Sequence, residues 1–292
     1  MTAGEYTDLI QLPLGYAYGI AGGISIGGKP SGLNSDPFTF VSIPPIGSIT
    51  YAQFFAIGKH CAYYGLGYSG DTTIYWRQWN AGQKPFDTIT GPKVVLLGDS
   101  ITQGVGSSDY SPTGEDVSNT VYQTKRNVGV KAWGAQFVNL LNNEYNCTAV
   151  NNGVSTIGTT GINSNLSSLL PSDTNMVVLT VGTNDRGSSV TTFKAAFTTL
   201  VRNIKDTGVK LFVFSPIPVN DGSASIGMGN MQKVIEKVCY ENEVTFYPLY
   251  TLFKMYIDEN NLTLSNYYAD SLHPNDAGHK LIYQIVRKCL KV

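Results

Sequence analysis

The sequence predicts an α/β fold over residues 91–292, a parallel sheet covered by helices on both faces, preceded by a small β-rich region over residues 1–90. Three observations carry that prediction. Nearly half of the aromatic residues and of the glycines fall in the first 90 positions. Gly91-Pro92 then punctuates the chain. Beyond it, short apolar runs alternate with segments of helical apolar spacing, and strands apolar on both faces belong to a parallel sheet buried on both sides.

The elements follow in order. PFTFVSIPP, SITYAQFFAIG, AYYGLGY and TTIYWRQW combine strand length, aromatic and β-branched content and flanking turn residues, so they predict β structure. In the second region KVVLLG (93–98) predicts a buried parallel strand, and WGAQFVNLLNNEY (133–145) a helix. CTAVNNG (147–153) is a strand running into a loop, and INSNLSSLLP (162–171) a short helix stopped by Pro171. MVVLTVG (176–182) is a strand, and TTFKAAFTTLVRNIKDTG (191–208) a helix with Gly208 where a C-cap belongs. VKLFVFSPIP (209–218) is a strand, MQKVIEKVCYENE (231–243) a helix, VTFYPLY (244–250) a strand and AGHKLIYQIVRKCL (277–290) the last helix.

Composition narrows the function classes. Only 14% of residues are charged and the net charge is −1, so no basic face is available for nucleic acid. No run approaches 18 apolar residues, so neither a membrane span nor a membrane partner is expected. MTAGEYTDLI has no basic stretch followed by an apolar one, so it is not a signal peptide. That leaves a cytoplasmic chain, one exported with its signal removed, or one exported by another route. Cys61, Cys147, Cys239 and Cys289 are scattered without a C-x-x-C pair, which excludes a zinc ribbon and leaves their disulfide state open.

The strand ends carry the polar residues. They are Gly98-Asp99-Ser100, Asn151-Asn152-Gly153 and Gly182-Thr183-Asn184-Asp185, and Asp270-Ser271-Leu272-His273-Pro274 precedes the last helix. In a parallel sheet these segments share one edge, where ligands bind. A serine hydroxyl attacks only when a base takes its proton. His273 precedes Pro274, which holds it in a loop. Asp270, three residues earlier, can fix the imidazole tautomer. An oxyanion would find donors in the Gly153 N–H, the Asn184 side-chain amide and the Ser100 N–H, each worth about 3 kcal/mol in a transition state. Asp99 and Asp185 read as acceptors of loop backbone N–H groups, and His279 as a structural residue of the last helix. Taken alone, Ser100 would be a turn serine and His273 a loop histidine. The four segments together argue otherwise.

GDSIT, NNGVS, GTND and DSLHPN resemble, in order, the four blocks of the SGNH/GDSL hydrolase family, with Ile101-Thr102 where the family's name has Leu. The resemblance covers residues 91–292. It implies a flavodoxin-like three-layer α/β/α domain and ester hydrolysis without metal or cofactor. It also implies a triad of Ser100, His273 and Asp270, with Ser100, Gly153 and Asn184 at the oxyanion.

Three look-alikes in the first region lack the elements their motifs need. Gly23-Ile24-Ser25-Ile26-Gly27 has the G-x-S-x-G spacing but no helix after it, and GISIGGKP puts Pro30 where a P-loop needs Ser or Thr. Gly65-Leu66-Gly67-Tyr68-Ser69-Gly70 runs into a strand. All three read as β-turn glycines. TTIYWRQWNAGQKPFDTI and LPLGYAYGI loosely resemble knob domains of phage tail fibres and pyocin tails, with Phe86 in place of a Trp. That resemblance implies a virion-tail or extracellular, homotrimeric protein that binds surface glycan. Tyr63, Tyr64, Trp76 and Trp79 could stack on sugars or form the core of an accessory domain. The expected activity is removal of short acyl groups, acetyl first, from carbohydrate or another small ester. The alternatives are a glycan-binding module on a vestigial hydrolase and a lipase or thioesterase. The candidate specificity loops are 105–130, 186–190 and 220–229, and none is apolar enough for a long-chain tunnel.

Overall fold

A computed structural model describes residues 91–111, 129–219, 222 and 224–292, together with the backbone of five strands between residues 17 and 79. The chain forms two compact units, Met1–Gln83 and Lys84–Val292. In the first, β1 (Ala17–Ile20), β2 (Phe38–Ile43), β3 (Tyr51–Gly58), β4 (Ala62–Tyr68) and β5 (Tyr75–Trp79) make an antiparallel sheet in sequence order. One expectation is corrected here. Gly65 and Gly67 are not turn glycines but lie inside β4, where Gly65 is held in register between Phe54 of β3 and Trp76 of β5. A ladder on both sides keeps a glycine extended that its neighbours alone would leave free to turn. Tyr63, Tyr64, Trp76 and Trp79 lie in β4 and β5. The readings of Gly23–Gly27, Pro30, Cys61 and Phe86 fall outside the described residues.

The second unit runs β6 (Lys93–Gly98), α1 (Ser100–Gln103), α2 (Trp133–Glu144), β7 (Thr148–Gly153), α3 (Thr159–Ser164), α4 (Leu166–Leu169) and β8 (Met176–Thr180). It continues α5 (Val190–Asp206), β9 (Lys210–Phe214), α6 (Met228–Glu241), β10 (Thr245–Tyr247), α7 (Leu249–Glu259) and α8 (Asp276–Leu290). The sheet is wholly parallel in the order β10-β9-β8-β6-β7. Counted within the unit this is 2-1-3-4-5, the flavodoxin-like order, whose ligand crevice lies outside the carboxyl ends of the first and third strands, here β6 and β8.

The central strands β6 and β8 have no polar face because each side meets helices. Val95 and Leu97 of β6 pack with Ile162 of α3, Phe193 and Phe197 of α5 and Ile235 of α6. Val94 and Leu96 pack on the other face with Trp133 and Phe137 of α2, Phe253 of α7 and Ile282 of α8. Each of these buried side chains contributes about 2 kcal/mol by leaving water. α5 starts at Ser189, whose Oγ accepts the Thr192 N–H at 3.1 Å, and Gly208 follows its end at φ +81°.

Two differences from the sequence reading have local causes. The helix expected over 162–171 begins earlier, at Thr159, and splits at Asn165 (φ −113°, ψ 18°), whose side-chain amide donates to the Gly161 carbonyl. VTFYPLY is not one strand. Pro248 ends β10 and becomes the N-cap residue of α7, a helix the sequence reading lacks. Among the described residues no helix is long and apolar enough to cross a membrane. Cys147, Cys239 and Cys289 are free thiols.

Candidate active site

Register alone brings the strand-end segments level. Gly98 at the end of β6 pairs with Gly153 of β7 on one side and Thr180 of β8 on the other. Ser100 follows as the first residue of α1, so its N–H has no carbonyl a turn earlier to bond. Asp99 caps that turn, its Oδ1 accepting the Ile101 N–H at 3.0 Å.

The candidate base, His273, arrives from the far end of the second unit. Tyr268 and Pro274 form an antiparallel bridge, and the Ala269 N–H donates to the His273 carbonyl at 2.8 Å, closing the loop that carries His273. Asn275 then caps α8 by accepting the Ala277 and Gly278 N–H groups. The His273 Nε2 lies 3.0 Å from the Ser100 Oγ, and its Nδ1 lies 2.8 Å from the Asp270 Oδ2. The other Asp270 oxygen accepts the Leu272 and His273 N–H groups at 2.7 and 2.6 Å. Partial burial pushes the Asp270 carboxyl up, but hydrogen bonds from the His273 N–H, the imidazole and the Leu272 N–H outweigh it and hold the group below its usual value. An ionised Asp270 accepts a hydrogen bond from the Nδ1–H, which keeps the proton on Nδ1 and leaves Nε2 as an acceptor facing the serine hydroxyl. That geometry can move a proton off Ser100.

Of the expected oxyanion residues, Gly153 lies against the turn that Ser100 opens. A Cβ at Gly153 would sit 2.4 Å from the Gln103 N and 2.7 Å from the Thr102 C, so the missing side chain lets β7 close on the backbone of α1. Its N–H donates to the Asn151 Oδ1 at 2.9 Å, while the Asn151 Nδ2 donates to the Thr102 carbonyl at 2.7 Å. Asn151 thus ties β7 to α1. It lies inside a motif the sequence marks, but only the fold shows its partners. Asn184, in the short 3-10 turn Thr183–Asp185, donates one amide hydrogen to the Ile157 carbonyl at 2.9 Å. Asp185 accepts the Thr159 N–H and hydroxyl. As read from the sequence, Asp99 and Asp185 both accept backbone N–H groups. His279 is fully buried between the Val105 carbonyl and the Trp133 N–H, and burial lowers its pKa to about 4, so it stays neutral. Among the described residues no group of three or more His, Cys, Asp or Glu side chains is placed to hold a metal ion.

Asp99 has a pH consequence. Burial raises its carboxyl from 3.8 to about 6, against hydrogen bonds from Thr183, Ile101 and Thr102. The folded chain therefore holds this proton more tightly than the unfolded chain. The stability it contributes is complete below 3.8 and is lost as pH rises to about 6, which amounts to about 3 kcal/mol. Asp99→Asn keeps an oxygen for the Ile101 N–H and cannot ionise. Its urea midpoint is expected to gain on the parent's progressively from pH 4 to pH 6.5. A gap that does not change with pH refutes the assignment.

Comparison with known proteins places this geometry in context. The model of the GDSL-like lipase/acylhydrolase family matches residues 96–281. No curated protein matches the chain. Among solved structures, Axe2, an acetylxylan esterase from Geobacillus stearothermophilus, superposes with a TM-score of 0.55 at 18% identity, covering 70% of this chain and 95% of its own. A lipase/acylhydrolase from Enterococcus faecalis gives 0.52 at 21% identity, covering 68% of this chain and 96% of its own. A two-domain esterase active on acetylated mannans gives 0.54 at 17% identity, covering 69% of this chain and 49% of its own. At these identities the likeness shows the fold. The tail-knob resemblance of residues 1–90 receives no support from these comparisons.

Proposed function

Because the chain belongs to the GDSL-like lipase/acylhydrolase family and is a carboxylic ester hydrolase, we propose that it removes short acyl groups, acetyl first, from carbohydrate through an acyl-enzyme on Ser100. The observation that carries the mechanism is the run from Ser100 Oγ to His273 Nε2 at 3.0 Å and from Nδ1 to Asp270 at 2.8 Å. The Ser100 Oγ attacks the ester carbonyl while His273 takes its proton. Asp270 steadies the imidazolium. The oxyanion is held by the Ser100 N–H, by the second amide hydrogen of Asn184, and by the Gly153 N–H shared with the Asn151 Oδ1. The tetrahedral intermediate collapses, the C–O bond to the sugar breaks, and His273 returns its proton to the leaving alkoxide. Water, deprotonated by His273, then releases the acid from Ser100.

Two further points support the reading. Catalytic mutants of Axe2 replace a serine, an aspartate and a histidine, and that aspartate precedes the histidine by three positions, the spacing of Asp270 and His273. The carbohydrate side rests on the neighbours named for acetylated xylan and mannans and on the aromatic content of residues 1–90.

The test is acetate release from a panel of acetylated xylan, mannan and peptidoglycan fragments, run beside p-nitrophenyl esters and acyl thioesters of increasing chain length. Acetate release from at least one glycan is expected, with acetyl ester turnover about tenfold or more above that of eight-carbon esters, since the sequence of the candidate specificity loops is too polar to reward added methylenes. Preference for long acyl chains or thioesters without glycan deacetylation would replace this reading with a lipase or thioesterase.

A further inference from the structure

Asp185 is half-buried, and its carboxylate bonds to Thr159 rather than standing in the Ser100–His273–Asp270 run. Both of its oxygens accept the Thr159 N–H, at 3.1 and 3.0 Å, and its Oδ2 also accepts the Thr159 hydroxyl at 3.0 Å. Thr159 opens α3 and is fully buried, and the residue before it, Gly158, offers no side chain to cap the helix. Asp185 acts as that cap from 26 positions away in sequence. Gly158 also makes room for it, because a Cβ there would lie 3.0 Å from the Asp185 Oδ1.

The neighbouring residue completes a two-point clamp. Asn184 donates to the Ile157 carbonyl while Asp185 accepts from Thr159, so adjacent residues of one short turn grip the same three-residue segment in opposite senses. Ile157 is buried in the core, so the segment is itself fixed. A primary amide is planar. Committing one Asn184 N–H to a fixed carbonyl sets the direction of the other. Without Asp185 one of the two grips on the 157–159 segment is lost, and the Asn184 side chain is held less firmly.

We propose that Asp185 is a positioning residue that acts through Asn184, holding its second amide hydrogen at the oxyanion. This rests on the oxyanion role proposed above for Asn184. A donor that must meet charge only in the transition state loses its effect when it is displaced by a fraction of an ångström, while ground-state binding scarcely changes.

A double-mutant cycle on the full chain tests it. Asp185→Ala is expected to lower kcat on p-nitrophenyl acetate about 10- to 100-fold with KM within about twofold. Asn184→Ala is expected to lower kcat by about 100-fold or more. In the Asn184→Ala background the further loss from Asp185→Ala should shrink to within about twofold, because the group it positions is gone. Asp185→Asn, which keeps an acceptor for the Thr159 N–H, should recover most of kcat, and it provides the comparison if the alanine variant folds poorly. Full multiplication of the two single losses, or equal changes in kcat and KM, overturns the positioning role while leaving Asn184 at the oxyanion. An Asn184→Ala variant with unchanged kcat overturns the oxyanion reading itself.

Discussion

Ser100→Ala is expected to lower kcat on p-nitrophenyl acetate by about 10⁵-fold, to abolish the initial burst of p-nitrophenol, and to leave the fold unchanged. The hydroxyl is the atom that would form the acyl bond. Removing it should be structurally mild. Ser100 is 3% exposed, its Oγ meets the His273 Nε2, and alanine suits the first turn of α1, which stays capped by Asp99. The close packing of Gly153 on Gln103 involves backbone that the substitution does not touch. Residual rate over water would come from the oxyanion donors and substrate binding, which survive. A variant that keeps more than about a hundredth of parental kcat with its burst intact places the nucleophile elsewhere.

What could be read before the structure was decided by how local the signal is. Val94–Leu97 and Met176–Leu179 are apolar at every position, and only a strand buried on both faces has a use for that. Ser100, Gly153, Asn184, Asp270 and His273 were legible as candidates because each sits in a short motif at a strand end or in the last loop. α7 was not. Its aromatic-rich start, Leu249-Tyr250, reads as the tail of a strand, although Leu249, Phe253 and Ile257 recur every four residues and would have shown the helix. Gly65 and Gly67 show the opposite failure, since glycine marks a turn only until flanking strands hold it extended. The partners of Asn151, Asn184 and Asp185 had no sequence signal. Thr102, Ile157 and Thr159 lie 26 to 49 positions away and become neighbours only when β6, β7 and β8 align.

Asp270→Asn is expected to lower kcat by about 10³-fold with KM within a few-fold, and to do at least as much damage as Asp270→Ala. Two effects must be separated. In the proposed mechanism the charge of Asp270 would steady the imidazolium, but its side chain is 55% exposed, so solvent would screen that attraction and its loss alone would be modest. Orientation is not screened. The carboxylate accepts from the His273 Nδ1 at 2.8 Å, which fixes the proton there and leaves Nε2 free to take the Ser100 proton. An amide at this position can still accept the Leu272 and His273 N–H groups with its oxygen, so the loop is kept. Its NH₂ then faces Nδ1 and demands an acceptor, which moves the imidazole proton to Nε2 and points a donor at the serine. Alanine imposes no such tautomer, because water can enter where the carboxylate was. An alanine variant that is much slower than the asparagine variant would mean that Asp270 serves chiefly to hold the loop through its Oδ1. Near-parental rates in both would remove it from the proton relay altogether.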